Sequence, residues 1–475
     1  MANKSLFQTF YATATDQLEQ VTKLCAQVEP AFIARTAVYA RERGAMKDMP
    51  AFLCALLSVR SPELLGKVFD RVIDDGRMLR TFVQIVRSGK AGRKSLGSRP
   101  KKLVQGWFAA RSDEQVFRAS VGQSPSLGDV IRLSRPQPAS RSREALYGWL
   151  VGRDVPVADL PSLVRDFVAY RASPSGAVPE VPFQMLTGLQ LGAEQWTAIA
   201  RKASWQTTRM NLATFERHGV FEHAEMAELI AARLRDPEQI RRARAFPYQL
   251  LAASRAADDL PGVVRDALQD AMEIAIENVP VVTGRVWVLP DVSGSMSSPV
   301  TGQRGTATTA VRCIDVAALF AAALLRKNSD AGVLPFAEDV RAVRLNPRDT
   351  VLTNAAKLSS LGGGGTNCSA PLARLNQRRE RGDLVVFISD NQSWMDRAAQ
   401  GTATMEQWMR FKARNPAAKL VCIDLQPYAN TQAAGSADVL NVGGFSDAVF
   451  DRVAEFANQL VGPDSWVQAI EEVQI

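Results

Sequence analysis

Asp291-Val292-Ser293-Gly294-Ser295-Met296 places one carboxylate and two hydroxyls at alternate positions, directly after the apolar run Gly284 to Pro290. Oxygen donors of this kind suit a hard divalent cation, Mg²⁺ before Zn²⁺, because no thiolate or imidazole is offered. Two further pieces follow. Gly362-Gly363-Gly364-Gly365-Thr366-Asn367 presents a hydroxyl on a glycine loop, and Leu384-Val385-Val386-Phe387-Ile388-Ser389-Asp390 ends an apolar run in a carboxylate. Singly, each is ordinary turn chemistry after a strand. That reading does not explain why the apolar runs carry these ends. No GxxxxGK[ST] follows the glycines, and no base stands beside the hydroxyls, so nucleotide hydrolysis and nucleophilic catalysis are not indicated.

A second chemistry lies upstream. From Arg77 to Arg111 the chain carries Arg77, Arg80, Arg87, Lys90, Arg93, Lys94, Arg99, Lys101, Lys102 and Arg111 with no acid among them. Glycine and serine between residues 89 and 99 predict a loop, followed by a helix from Pro100 to Ala110 whose amides add to the attraction for phosphate. Arg132, Arg135, Arg141 and Arg143 continue the series. A third group, Arg233, Arg235, Arg241, Arg242 and Arg244, has Asp236 and Glu238 beside it, which predicts local pairing. The net charge of +8 resides wholly in residues 1–280, since Lys+Arg and Asp+Glu balance in 281–475. Such basicity points to an anionic partner for the N-terminal part. Five scattered cysteines and two histidines, His218 and His223, offer neither a disulfide frame nor a zinc site.

The elements that must position these groups differ along the chain. Residues 1–279 show apolar pairs at helical spacing, with Pro30, Pro50, Pro62 and Pro100 near helix starts. They predict an α-solenoid of paired helices without a visible repeat period, interrupted by a loop at 172–183 and ending in a helix from Leu260 to Val279. From 280 to 475 strands and helices alternate: strands 284–290, 331–336, 384–389 and 418–425, extended segments 340–345 and 437–442, and helices 309–327, 350–359, 369–380, 403–413 and 446–460. This pattern predicts a doubly wound parallel α/β sheet, whose ligands bind beyond the carboxyl ends of the strands. No stretch is long and apolar enough to span a membrane, and no signal-peptide core opens the chain, so a cytoplasmic location is expected.

Asp291, Ser293, Ser295, Thr366 and Asp390 resemble the metal-ion-dependent adhesion site of von Willebrand factor A domains. The resemblance implies a bound divalent cation, Mg²⁺, with a position open to a partner's carboxylate. Two features depart from that pattern: Pro290 precedes Asp291, and the third loop reads Ser389-Asp390-Asn391-Gln392-Ser393-Trp394 where many such domains have Thr-Asp-Gly. A basic helical half before an A domain resembles the Ro autoantigen family, of bacterial or phage type, built from a TROVE module and that domain. The carrying segments are Gly97 to Trp107, Asp129-Val130-Ile131-Arg132-Leu133-Ser134-Arg135-Pro136, and Ala245-Phe246-Pro247-Tyr248-Gln249-Leu250-Leu251. Arg135 occupies the place of an RNA-contacting His in the family pattern. Membership implies a HEAT-like helical-repeat ring (1–279) joined to an A domain (280–475). It also implies a monomeric, non-enzymatic scaffold that holds Y-like small RNA and single-stranded ends of misfolded RNA, with an exoribonuclease as partner. The RNA-binding residues expected are Arg77, Arg80, Arg87, Lys90, Arg93, Lys94, Arg99, Lys101, Lys102, Arg132, Arg135, Arg141 and Arg143. The rival reading is a metal-dependent protein–protein adaptor, with a chaperone-like ATPase as partner and an incidental basic face.

Overall fold

The strand–helix alternation in the C-terminal part folds into one parallel sheet. In the computed structural model, which describes residues 14–44, 46–255, 259–300, 311–390, 402–426, 436–444, 448–458 and 465–475, its strands are β1 (Val286–Pro290), β2 (Ala331–Val333), β3 (Leu384–Ser389), β4 (Lys419–Asp424) and β5 (Val439–Gly443). Their order is β2-β1-β3-β4-β5, every pair parallel. β1 and β3 are therefore neighbours in mid-sheet, buried at every residue, as their continuous apolar sequences require. Trp287, Leu289, Val385, Phe387, Leu420 and Cys422 share one face, packed on Leu372, Leu375, Trp408 and Phe411 of helices Ser369–Gln377 and Thr402–Arg414. The helix Cys313–Lys327 packs against β1, β2 and β3 and is buried from Cys313 through Leu325.

Two expected segments are shorter than anticipated. The strand at 331–336 is regular only to Val333, after which Leu334 and Phe336 still donate to Val288 and Pro290 at 2.9 and 3.1 Å. The extended segment 340–345 contributes one bridge, Val340 to Phe336, and no strand. Residues 309 and 310 of the expected helix, and Asn391 to Trp394, lie outside the described residues.

By compactness the chain divides into two units. One holds Leu18–Gln195 together with Trp466–Ile475; the other includes Trp196–Ser465. The first is helical. Most helices pack on those one to three places along the chain, Pro30–Glu42 on Asp48–Arg60 and Pro62–Val72, and Pro62–Val72 on Ser98–Ala109. That is solenoid packing without a sequence period. Pro30 and Pro62 open their helices, and Pro50 and Pro100 sit in the first turn, where a missing N–H costs nothing. Asp75 caps the next helix, accepting from Met78 at 2.7 Å. The chain end returns to this unit: Arg35 Nε donates to the Val473 carbonyl at 3.1 Å, and Val473 and Ile475 pack against its core. In the second unit, the helix Gly262–Ala275 packs on Ala224–Leu234, Pro237–Arg242 and Pro247–Arg255.

Gly332 lies beneath the Trp287 ring, and a Cβ there would fall 2.3 Å from its Cζ3. Gly332→Ala is expected to destabilise the sheet unit by about 2 kcal/mol through overpacking. The check is a lowered urea midpoint with an unchanged m-value.

Candidate functional site

The sheet register brings the two carboxylates together. Pro290 pairs with Ile388, and the Asp291 amide donates to the Ile388 carbonyl at 2.9 Å, so Asp291 and Asp390 emerge from adjacent strand ends. Pro290 falls two residues past the last regular β1–β2 pair, and its carbonyl still accepts from Phe336 at 3.1 Å, so only its own N–H is missing from the bonding there. The Val292 amide donates to Phe336 at 2.8 Å, which fixes the first loop against the segment after β2. The glycine loop is tied to the same place: Gly363 N–H donates to the Val292 carbonyl at 3.0 Å, and Gly294 N–H to the Gly364 carbonyl at 2.9 Å. Gly363 and Gly364 have φ of +130° and +88°, a left-handed geometry that explains why glycine stands there. Thr366 follows, nearly fully buried.

Asp291, Ser293, Thr366 and Asp390 are all buried, and Ser295 is half-buried. Ser293 N–H donates to Asp291 Oδ1 at 2.8 Å, and the Ser293 and Ser295 hydroxyls are 3.2 Å apart. Burial pushes the Asp291 carboxyl up to about 6. Hydrogen bonds from Ser293 and Ser389 oppose that rise, and the Asp390 charge adds to it. Asp291 has no ion pair among the described residues; its donors are neutral. Two carboxylates held side by side without water are costly unless a cation compensates them. The donor set of two carboxylates and three hydroxyls fits a hard divalent ion.

Two contributors were not singled out from sequence. Ser389, the last residue of β3, donates its hydroxyl to Asp291 Oδ2 at 2.7 Å. Its position immediately before Asp390 was the available signal. Glu338 accepts from Gly365 N–H at 3.1 Å and so helps hold the loop that carries Thr366. No local pattern marks Glu338, because the contact joins segments far apart in the chain.

The basic residues separate into two groups. Arg77, Arg87, Lys90, Lys94, Arg99, Lys102 and Arg135 are exposed and Lys101 half-buried, and none makes an ion pair among the described residues. The others are engaged. Arg80 donates to the Ala119 carbonyl at 2.8 Å, and Arg93 to Ser95 and Ser58 carbonyls at 2.7 and 2.9 Å. Arg132 pairs with Asp129 at 2.9 Å and Arg141 with Asp159 at 3.1 Å. Arg143, expected as a surface cation, is buried instead. It pairs with Asp113 and donates to the carbonyls of Phe108 and Arg111 at 2.9 and 2.6 Å, joining three segments of the unit. The third arginine group also differs from expectation. Arg235 and Arg241 pair with Asp270 and Glu277, at 3.6 and 3.5 Å, while Asp236 caps the helix Pro237–Arg242.

The fold has known counterparts. The Ro60 vWA domain family matches residues 285–457, and the TROVE domain family matches residues 192–278. The exposed cations at 77–135 precede the TROVE match. The chain is 26% identical to the RNA-binding protein RO60 of Deinococcus radiodurans over 94% of its own length and 90% of that protein's. It is 25% identical to the RNA-binding protein RO60 of Caenorhabditis elegans, over 55% of this chain and 42% of that one. The crystal structure of the Deinococcus radiodurans RO (RSR) protein superposes with a TM-score of 0.72 at 21% identity, covering 95% of this chain and 96% of that one.

Removing Arg143 would strand the Asp113 carboxylate. Arg143→Ala is expected to lower stability by about 3 kcal/mol, read as an earlier urea transition, whereas Lys102→Ala leaves the transition in place.

Proposed function

We propose that this chain, which belongs to the Ro family, binds RNA through the exposed cations of its N-terminal helices and acts as a scaffold rather than a catalyst. The observation that carries this reading is the set Arg77, Arg87, Lys90, Lys94, Arg99, Lys101, Lys102 and Arg135, cations with no carboxylate partner among the described residues. Folding has left their charge available, and phosphate is the anion such a surface attracts most strongly. Arg99, Lys101 and Lys102 lie in the first turns of the helix Ser98–Ala109, where unpaired amides add to the pull on an anion. The relatives named as RNA-binding proteins support the same reading.

The RNA is a structured small RNA of the Y type together with single-stranded ends of misfolded RNA, recognised by shape and backbone more than by base sequence. The protein works as a monomer and presents such ends to an exoribonuclease. At Arg135, an arginine keeps cationic contact and a planar face but lacks the pH response of an imidazole. No helix among the described residues is long and apolar enough to cross a membrane.

In the sheet unit, Asp291, Ser293, Ser295, Thr366 and Asp390 would hold Mg²⁺. Bound there, the ion supplies charge compensation and a position for a carboxylate from a protein partner. Asp291 and Asp390 provide the negative charge, the hydroxyls provide neutral oxygen, and the bonds from Gly294 and Gly363 keep the two loops in reach of each other.

Two measurements test these assignments. In filter binding to a hairpin RNA with a single-stranded end, affinity should fall steeply with salt, and Arg87→Ala/Lys94→Ala/Lys102→Ala should reduce the log–log slope by about 2, near 0.7 per lost contact. No retention at low salt, or an unchanged slope, sinks the RNA reading. For the metal, wild type should melt later in Mg²⁺, gaining about 2.7 kcal/mol at a hundredfold excess over Kd, and Asp291→Asn should lose that gain. In chelator the variant should be at least as stable as wild type. Because folding raises the Asp291 carboxyl from 3.8 to about 6, that advantage is full above about pH 6 and gone below 3.8.

A further inference from the structure

The sheet unit carries an arginine-lined groove outside the carboxylate site. It has a volume of about 810 Å³ and runs between the helices Ser369–Gln377 and Thr402–Arg414. Arg374, Arg410 and Arg414 line it, with Asp339 the one carboxylate among its lining residues. Ala370, Ala373 and Ala413 also line it, and side chains this small leave the space between the helices open.

Arginines in the last turn of a helix are common, since they answer the negative end of its dipole. That accounts for Arg374 and Arg414. Arg414 also donates to Asn376 at 2.8 Å, and Arg374 stands 3.7 Å from Asp339. It does not account for Arg410, which lies a turn earlier, is exposed, and makes no ion pair among the described residues. Gln407 and Arg410, three residues apart, line the groove from one side of their helix.

We propose that this groove is a second contact for single-stranded RNA, with Arg410 and Arg414 on phosphates; this inference rests on the RNA-binding reading above. Gln377 at the exposed rim has both a donor and an acceptor, which suits sugar hydroxyls and base edges. Met409, 62% exposed and four residues before Ala413, offers apolar surface beside the cations for an unstacked base. An acidic peptide would call for cationic donors alone and would leave both features unused.

The test uses the full chain and a single-stranded oligoribonucleotide at low salt. Two single variants are compared with wild type, Arg410→Glu and Ala413→Glu, the second adding a negative charge at an exposed groove position without removing any contact. The helical triple variant serves as internal reference. Each groove variant should weaken binding about tenfold at 50 mM salt, the value of roughly one phosphate contact, with circular dichroism and melting unchanged. Wild-type affinity in both groove variants, beside weakened binding by the helical triple, would overturn the groove while sparing the RNA reading. Absence of binding by wild type would remove both. If poly-glutamate binding is lost in the groove variants while RNA binding is kept, the groove belongs to an acidic protein partner, and the proposal fails.

Discussion

The burial of two carboxylates at the ends of adjacent parallel strands is the constraint around which the sheet unit is built. Asp291 and Asp390 can stand side by side only because β1 pairs with β3 in a register that sets Pro290 against Ile388. A shift of one residue would turn alternate side chains to the opposite face and separate the carboxylates. The cost of removing charge from water then has to be met locally. Ser293 and Ser389 meet part of it with hydrogen bonds at 2.8 and 2.7 Å to the two oxygens of Asp291. The remaining like-charge repulsion makes the loops that hold the two carboxylates exacting. The left-handed glycines at 363 and 364, the bonds to Val292 and Gly294, and the Glu338 contact all restrict the one loop that delivers Thr366.

In the helical unit the decisive variable is the fate of each guanidinium. Arg143 and Arg93 spend their donors on backbone carbonyls, satisfying chain that would otherwise be poorly hydrated. Such arginines contribute to the net charge without contributing a contact surface. Arg87, Lys94, Lys102 and Arg135 have no such duty among the described residues. The formal excess of +8 is thus an imperfect guide to binding, because folding divides the cations into structural and available sets.

That division also explains what could be read from the chain. The run Leu384 to Ser389 identified β3 to the residue, because a central parallel strand must be apolar throughout and its end is marked by a change to polar residues. The placement of Asp291 and Asp390 on neighbouring strand ends was legible for the same reason, both lying at ends of runs that could be seen. Burial of Arg143 was not legible. Apart from the Tyr147 hydroxyl, its acceptors belong to Asp113, Phe108 and Arg111, thirty or more residues away, and the residue type is identical whether the side chain faces water or backbone. The acids that pair with Arg235 and Arg241 were misplaced on the same account: Asp236 is nearest in sequence, but its oxygens are taken by the amides of the helix it caps. The return of Val473 and Ile475 to the N-terminal helices left no local signal either.

The two chemistries on this chain answer to different variables, and that difference follows from burial. Exposed cations act through a field screened within about 10 Å at 0.1 M salt, so whatever they hold is released as ionic strength rises. The Asp291 and Asp390 pair lies behind protein, where screening by salt is weak and desolvation dominates. Its response is to protons, since burial and the Asp390 charge both raise the Asp291 carboxyl. A phosphate surface must remain open to water to be reached and left quickly. A carboxylate pair buried at strand ends is shielded from bulk salt. Placing the first on helices with exposed cations, and the second at buried strand ends in a charge-neutral segment, lets each be tuned by mutation without disturbing the other's electrostatics.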